Sequence, residues 1–161
     1  MEKEWFIGVD ISKLTLDFAL CNVNNPNQFI HRQFANCTLG FKKMLIGLKK
    51  DHVTSSNSLF CMEHTGHYTL ALCCFLQNGN FPFTKVSPLH LKKSLGLIRG
   101  KNDKIDAKRI AQFACLHHRM LKPMQLPSAC LLKLKNLVAF RDRLVKTSVS
   151  LKMQLRIYKI L

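Results

Sequence analysis

Nine of the 161 residues are acidic, and four of them stand where a carboxylate could do chemistry. Asp10 closes the apolar run "WFIGVD", and Glu63 closes "LFCME". An acid at the end of a buried strand is costly unless a partner or a cation satisfies it. Asp103 and Asp106 lie three residues apart in "GKNDKIDAKRIAQFA", a spacing that sets both on one side of a helix start. Together the four could hold two divalent cations about 4 Å apart, the spacing used for in-line displacement at phosphorus. All-oxygen ligands suit hard ions of the Mg2+ or Mn2+ kind. On spacing alone a second reading of Asp103 and Asp106 stays open, because acids in a first helical turn also cap it and complement its dipole. Asp17 reads as an exposed strand residue, and Asp51 and Asp142 as solvated charges at helix ends.

Residues so far apart in sequence need a scaffold to meet. "WFIGVDIS" (5–12), "TLDFALCN" (15–22) and "QFIHRQFAN" (28–36) are strand-like, with the Asn-rich "NVNNPNQ" as a turn. "TLGFKKMLIGLKKD" (38–51) repeats apolar residues at helical spacing, with Lys on the other side. "SLFCMEHTG" (58–66) is a short buried strand, with Thr65 and Gly66 suited to a tight turn. "HYTLALCCFLQNG" (67–79) is a helix ending at a Gly. "FPFTKVSP" (81–88) returns as a strand, and a basic helix runs on toward Gly100. "KIDAKRIAQFACLHH" (104–118) is a further helix with Ile105, Ile110, Phe113 and Ala114 inward. Three strands followed by alternating helix and strand predict a mixed α/β sheet with helices against its faces. Acids at the carboxyl ends of its strands would then converge where such sheets build sites.

The background is basic: 25 Lys and Arg give a formal charge of +16. Such a field attracts polyanions, nucleic acid first among them. Residues 85–109 carry eight Lys or Arg and only two acids, Asp103 and Asp106. Lys92, Lys93, Arg99, Lys101, Lys104, Lys108 and Arg109 are the candidates for phosphate contacts, which would make binding steeply salt-dependent. The seven cysteines are odd in number, form no C-x-x-C pair and lie in part within apolar runs such as "LALCCFL". That usage predicts a reduced, cytoplasmic protein, not a disulfide scaffold. No apolar run approaches the roughly 20 residues that span a bilayer, so no membrane partner is expected. Cys61, His64 and His67 fall at three-residue steps, but Cys61 sits within a strand and no second ligand pair accompanies them, which argues against zinc.

"KPMQLPS" (122–128) carries two prolines and reads as a linker between a catalytic domain at 1–121 and an arm at 129–161. Leu137, Leu144, Leu151 and Tyr158 then recur every seven residues, flanked by Leu134, Val138, Val145 and Leu155. About three heptads of this kind predict a coiled-coil arm through which copies of the chain would associate. The pattern is still running at "RIYKIL", so the chain reads as part of something longer.

"IGVDISKLTLD", "EHTGHYTLALCCFLQNG" and "KNDKIDAKRIAQFA", in that order, resemble the N-terminal domain of the DEDD transposases. These are RNA-guided recombinases of insertion sequences, related to the Piv-type DNA invertases. The likeness runs over about residues 5–118, with the heptads in their expected place beyond. It implies a ribonuclease-H-like (RuvC-like) fold and an acidic tetrad at Asp10, Glu63, Asp103 and Asp106 that binds two Mg2+ or Mn2+ ions. It further implies DNA and a guide RNA as partners, oligomers joined through the coiled coil, and a serine nucleophile from a separate C-terminal domain. Ser12, Ser87 and Ser94 are not expected to take that role. Three positions depart from the family pattern: His64 after the Glu, Ser87 before Pro88, and Asn102 before Asp103. Two other readings compete, a stand-alone structure-selective nuclease with water as nucleophile, and a non-catalytic module for nucleic-acid binding and oligomerisation.

Overall fold

The structure, a computed structural model, describes residues 3–64, 68–95 and 102–158. Strands β1 (Trp5–Ile11), β2 (Thr15–Asn22) and β3 (Asn25–Ala35) form an antiparallel meander. Helix α1 (Thr38–Lys50) leads to β4 (Ser58–Glu63), α2 (Thr69–Asn78) leads to β5 (Phe83–Val86), and β1, β4 and β5 are parallel. The sheet order is β3-β2-β1-β4-β5, a mixed sheet as the strand pattern predicts. Helices α3 (Pro88–Leu95) and α4 (Asp103–Leu116) and a 3-10 turn (His118–Met120) follow. β3 begins earlier than expected, at Asn25, and takes in Pro26, which an edge strand tolerates because its missing N–H breaks no ladder.

Alternation along the strands divides the core in two. Ile7, Val9, Leu16, Phe18 and Phe60 face α1 and α2, whose Phe41, Met44, Leu72 and Leu76 complete one cluster. Phe6, Ala19, Cys21, Leu59 and Cys61 face the other way, toward α3 and α4. There the inward stripe of α4 is Ala107, Ile110, Ala111, Phe113 and Ala114, whereas Ile105 is 37% exposed, against expectation. The reason is proximity. A Cβ on Gly8 would fall far inside contact distance of the Ala107 carbonyl and the Ala111 amide, and 2.9 Å from Ala111 Cα. With only alanines beneath it, α4 presses its backbone onto β1, and the bulkier Ile105 is carried off to the side.

The first compact unit extends to Leu126 and the second comprises Pro127–Leu161. Met124 N–H donates to the Phe83 carbonyl at 2.8 Å, and Leu126 N–H to Gln77 Oε1 at 2.7 Å. Residues 124–126 are therefore strapped along the edge of β5. In the second unit α5 (Ala129–Tyr158) is one continuous helix of 30 residues, with Leu137, Leu144 and Leu151 each more than half exposed. All seven cysteines are free, and burial pushes the Cys61 thiol up to about 12. No helix among the described residues is long and apolar enough to cross a membrane.

Candidate metal and nucleic-acid site

Asp10 lies two residues beyond Gly8 and so points to the same face of β1, the face that α4 covers. Glu63 is two residues beyond Cys61, on that face of β4, and the parallel register of Val9 with Met62 makes the two acids neighbours across strands. α4 runs antiparallel to β1: the rings of Phe6 and His118 are 5.4 Å apart, and Gly8 meets Ala107 and Ala111. One helical turn back from Ala107 is Asp103. A turn of about 6 Å matches two strand residues of about 6.6 Å, so the start of α4 arrives over the end of β1. This is the step that unites acids more than 90 residues apart.

Asn102, not an aspartate, caps the first turn of α4, while Asp103 and Asp106 still stand where they complement its dipole. The Asn102 backbone is extended (φ −149°, ψ 128°) and its side chain accepts from Lys104 N–H at 3.1 Å, so it is the N-cap. Asp103 and Asp106 are relieved of capping, and the departure at 102 keeps a good capping residue. Arg109 Nη1 stands 3.7 Å from Asp106 Oδ1, one turn along.

Asp10 feels the whole cluster. Desolvation first, then the negative charges of Asp103 and Asp106, and less so that of Glu63, push its carboxyl up to about 6, against relief from Ile11 N–H. Among the described residues no basic side chain forms an ion pair with it. Nor, among them, are three His, Cys, Asp or Glu side chains gathered tightly enough to hold a metal. The other three acids lie near enough for their charges to act on Asp10. Their donor chemistry, all carboxylate oxygen around a desolvated anion, fits a hard divalent cation.

Of the basic candidates, Lys92, Lys93 and Lys104 are exposed. Lys108 is half-buried with its Nζ 6.0 Å from the centre of the Phe29 ring, at the outer reach of a cation–π contact. Arg99 and Lys101 lie outside the described residues, as do Thr65, Gly66 and His67. Each serine set aside above has local work. Ser12 Oγ and Thr15 Oγ1 share a 2.7 Å hydrogen bond in the β1–β2 turn, Ser87 Oγ accepts from Leu89 N–H, and Ser94 Oγ is 2.6 Å from His117 Nε2.

Two acids differ from their expected roles. Asp17 is 3% exposed, not a surface residue; His31 Nε2 and Gln33 Nε2 meet its oxygens at 2.8 and 2.9 Å. It pairs with Asp10 across β1 and β2, beneath the same helix. Asp51 is gripped through both oxygens by the Arg32 guanidinium, at 2.5 and 3.0 Å, instead of being solvated. Asp142, beside Arg141, is a surface charge as expected, but in the middle of α5 and not at a helix end. The alternation in "TLDFAL" marks Asp17 as facing away from the Phe18 side, and only the burial of that second face by α4 could have exposed the error.

Comparison with known proteins supports this architecture. No curated protein matches the chain. Among solved structures, Thermus thermophilus RuvC in complex with a Holliday junction substrate aligns with a TM-score of 0.54 at 12% identity, over 75% of this chain and 99% of that one. Thermus thermophilus RuvC in a second structure gives a TM-score of 0.54 at 12% identity, over 76% and 99%. The fold is thus RuvC-like, of the ribonuclease-H type. A family model described as transposase, that of the IS110-type DEDD enzymes, matches residues 7–158, and the chain accordingly belongs to the IS110-type DEDD transposase family.

Proposed function

We propose that residues 1–121 form the metal-dependent catalytic domain of a DNA transposase, with Asp10, Glu63, Asp103 and Asp106 as its metal-binding acids. The observation that carries this reading is that Asp10 and Glu63 end adjacent parallel strands while Gly8 seats α4 so that its first turn, with Asp103 and Asp106, lies toward the same strand ends. Mg2+ or Mn2+ held by these acids would activate an attacking oxygen and stabilise the leaving one at a DNA phosphate. The chain's own contribution is placement. β1 and β4 hold two carboxylates at adjacent strand ends, and α4 delivers two more from a capped first turn. Lys92, Lys93 and Lys104, exposed on α3 and α4, would neutralise the approaching backbone, with Arg99, Lys101, Lys108 and Arg109 in the same basic stretch. The attacking hydroxyl in this reading comes from a serine of a separate domain, guided to its DNA by RNA. The exposed leucines of α5 would join copies of the chain as a coiled coil across the linker at 122–128.

Calorimetric titration with Mn2+ tests the site. Wild type should bind, and Asp10→Ala should bind at least tenfold more weakly; equal binding would remove the proposal. The RuvC-like fold favours one second reading, a nuclease acting on branched DNA with water as nucleophile. Metal-dependent cleavage of a four-way junction by this chain alone, abolished in Glu63→Ala, would select that reading. Retained nucleic-acid binding without metal binding or cleavage would select a non-catalytic module.

A further inference from the structure

On the face that carries the acids, Val86 of β5 is the neighbour of Glu63, on the side away from Asp10. Beyond it, between α3, the second half of α4 and the 3-10 turn, lies an open surface cavity of about 560 Å3. That volume lies in the range of about 300–1,000 Å3 typical of small-ligand pockets. Its walls are largely apolar. Phe113 is one of them, with the His117 ring 4.6 Å away at a 40° tilt, and the side chain of Met120 is another. His90 and Lys93, one turn apart on α3, sit at its polar side, and among the described residues no acid lines it. Ser94 Oγ bonds His117 Nε2 at 2.6 Å and holds that ring in place. Lys85 also borders the cavity, but its Nζ is directed to Thr69 Oγ1 on the opposite side of the sheet.

We infer that this cavity receives one unstacked nucleotide of a nucleic-acid strand. The base would enter against Phe113, His117 and Met120, and its phosphate would lie on Lys93 and His90. An aromatic and apolar slot matches the flat faces of a base, and a lysine ammonium beside an imidazole N–H matches the phosphate. The place of the cavity, one strand beyond Glu63, suits a nucleotide next to the one whose phosphate lies at the acids. The inference rests on the nucleic-acid reading above but is separable from it. Both DNA and RNA carry the required chemistry.

The test uses the full chain and fluorescence anisotropy with four probes: a single-stranded oligonucleotide and its abasic counterpart of equal length, each as DNA and as RNA. A fully paired DNA duplex is the reference. Base-bearing strands should bind about five- to a hundredfold tighter than abasic ones, the worth of one stacked base. The sugar showing the larger ratio identifies the source of the nucleotide. Ser94→Trp, which fills the cavity from an exposed position of α3, should bring that ratio near one. So should Met120→Glu, which puts a negative charge at its mouth from a position 79% exposed. A ratio near one in the wild type, with duplex binding intact, would overturn the cavity's role and leave the nucleic-acid reading standing. An unchanged ratio in both variants would overturn it too. Failure to bind every probe, the duplex included, would overturn both readings together.

Discussion

If the close seating of α4 on β1 is what assembles the acids, one methyl group at Gly8 should disassemble them. A Cβ there would meet the Ala107 carbonyl, the Ala111 amide and, at 2.9 Å, Ala111 Cα, whereas ordinary contacts begin at 3.4 Å. All three are helix backbone, so no rotamer change relieves the clash, and α4 must lift by about 1 Å. Overpacking of this kind costs about 1–3 kcal/mol, which for a domain of this size lowers Tm by several degrees. A displacement of about 1 Å is also enough to reduce a reaction roughly a hundredfold. Thermal unfolding and Mn2+ calorimetry on Gly8→Ala should thus show a lower Tm and weaker metal binding together. Gly47→Ala is the control. Its Cβ would first meet Arg32 Nη1 at 3.2 Å, on the far side of the sheet from the acids, so whatever the small change in Tm, Mn2+ affinity should stay at the wild-type value. Wild-type Tm and wild-type Mn2+ affinity in Gly8→Ala would refute the reasoning, since the acids would then not depend on the helix seat.

Other outcomes follow from the charges. Asp10 has a folded pKa of about 6 against 3.8 ordinarily, so the folded state holds the extra proton and apo stability falls as pH rises through that window. Asp10→Asn should therefore raise the metal-free unfolding free energy at pH 7, by on the order of 1 kcal/mol once partial exposure is discounted, while losing Mn2+. Protons and metal compete for the same carboxylate, so Mn2+ affinity should climb between about pH 5 and 7 and level off above; a flat profile in calorimetry would contradict the assignment. Asp17→Ala leaves His31 and Gln33 without their shared acceptor in a buried place, and chemical denaturation should report a loss of about 2–3 kcal/mol.

Much of this site was legible before any coordinates, and the reason is that its signals are local. An acid at the end of an apolar run, a D-x-x-D in a helix start and a basic background each read from a few neighbouring residues. The mixed sheet followed from the order of strand and helix patterns, and the heptads of residues 134–158 lie in a single continuous helix. What escaped was set by contacts distant in sequence. Asp17 and Asp51 gain their partners only when β3 pairs with β2 and α1 returns beside it, so each looked like an ordinary surface charge. Ile105 fits a helical stripe as well as Ala107 does; hydrophobicity alone ranks it as the inward residue, and only the glycine on the opposing strand reverses the choice.

The same contact explains why the acids stand near one another. Packing of Ala107, Ala111 and Ala114 on the sheet stabilises α4 in place, and its first turn follows whether or not the carboxylates favour the approach. Repulsion among them is carried by Asp10, the most desolvated, whose proton affinity rises until it can be half protonated near pH 6. Coulomb repulsion between two such charges at 4 Å is about 4 kcal/mol at an effective dielectric near 20, within what a buried helix face supplies. Core packing at one end of α4 thus holds its acidic first turn near Asp10 at the other. In the proposed reading a divalent cation bound there would convert that repulsion into attraction, so that metal binding and the seating of α4 on Gly8 would be coupled.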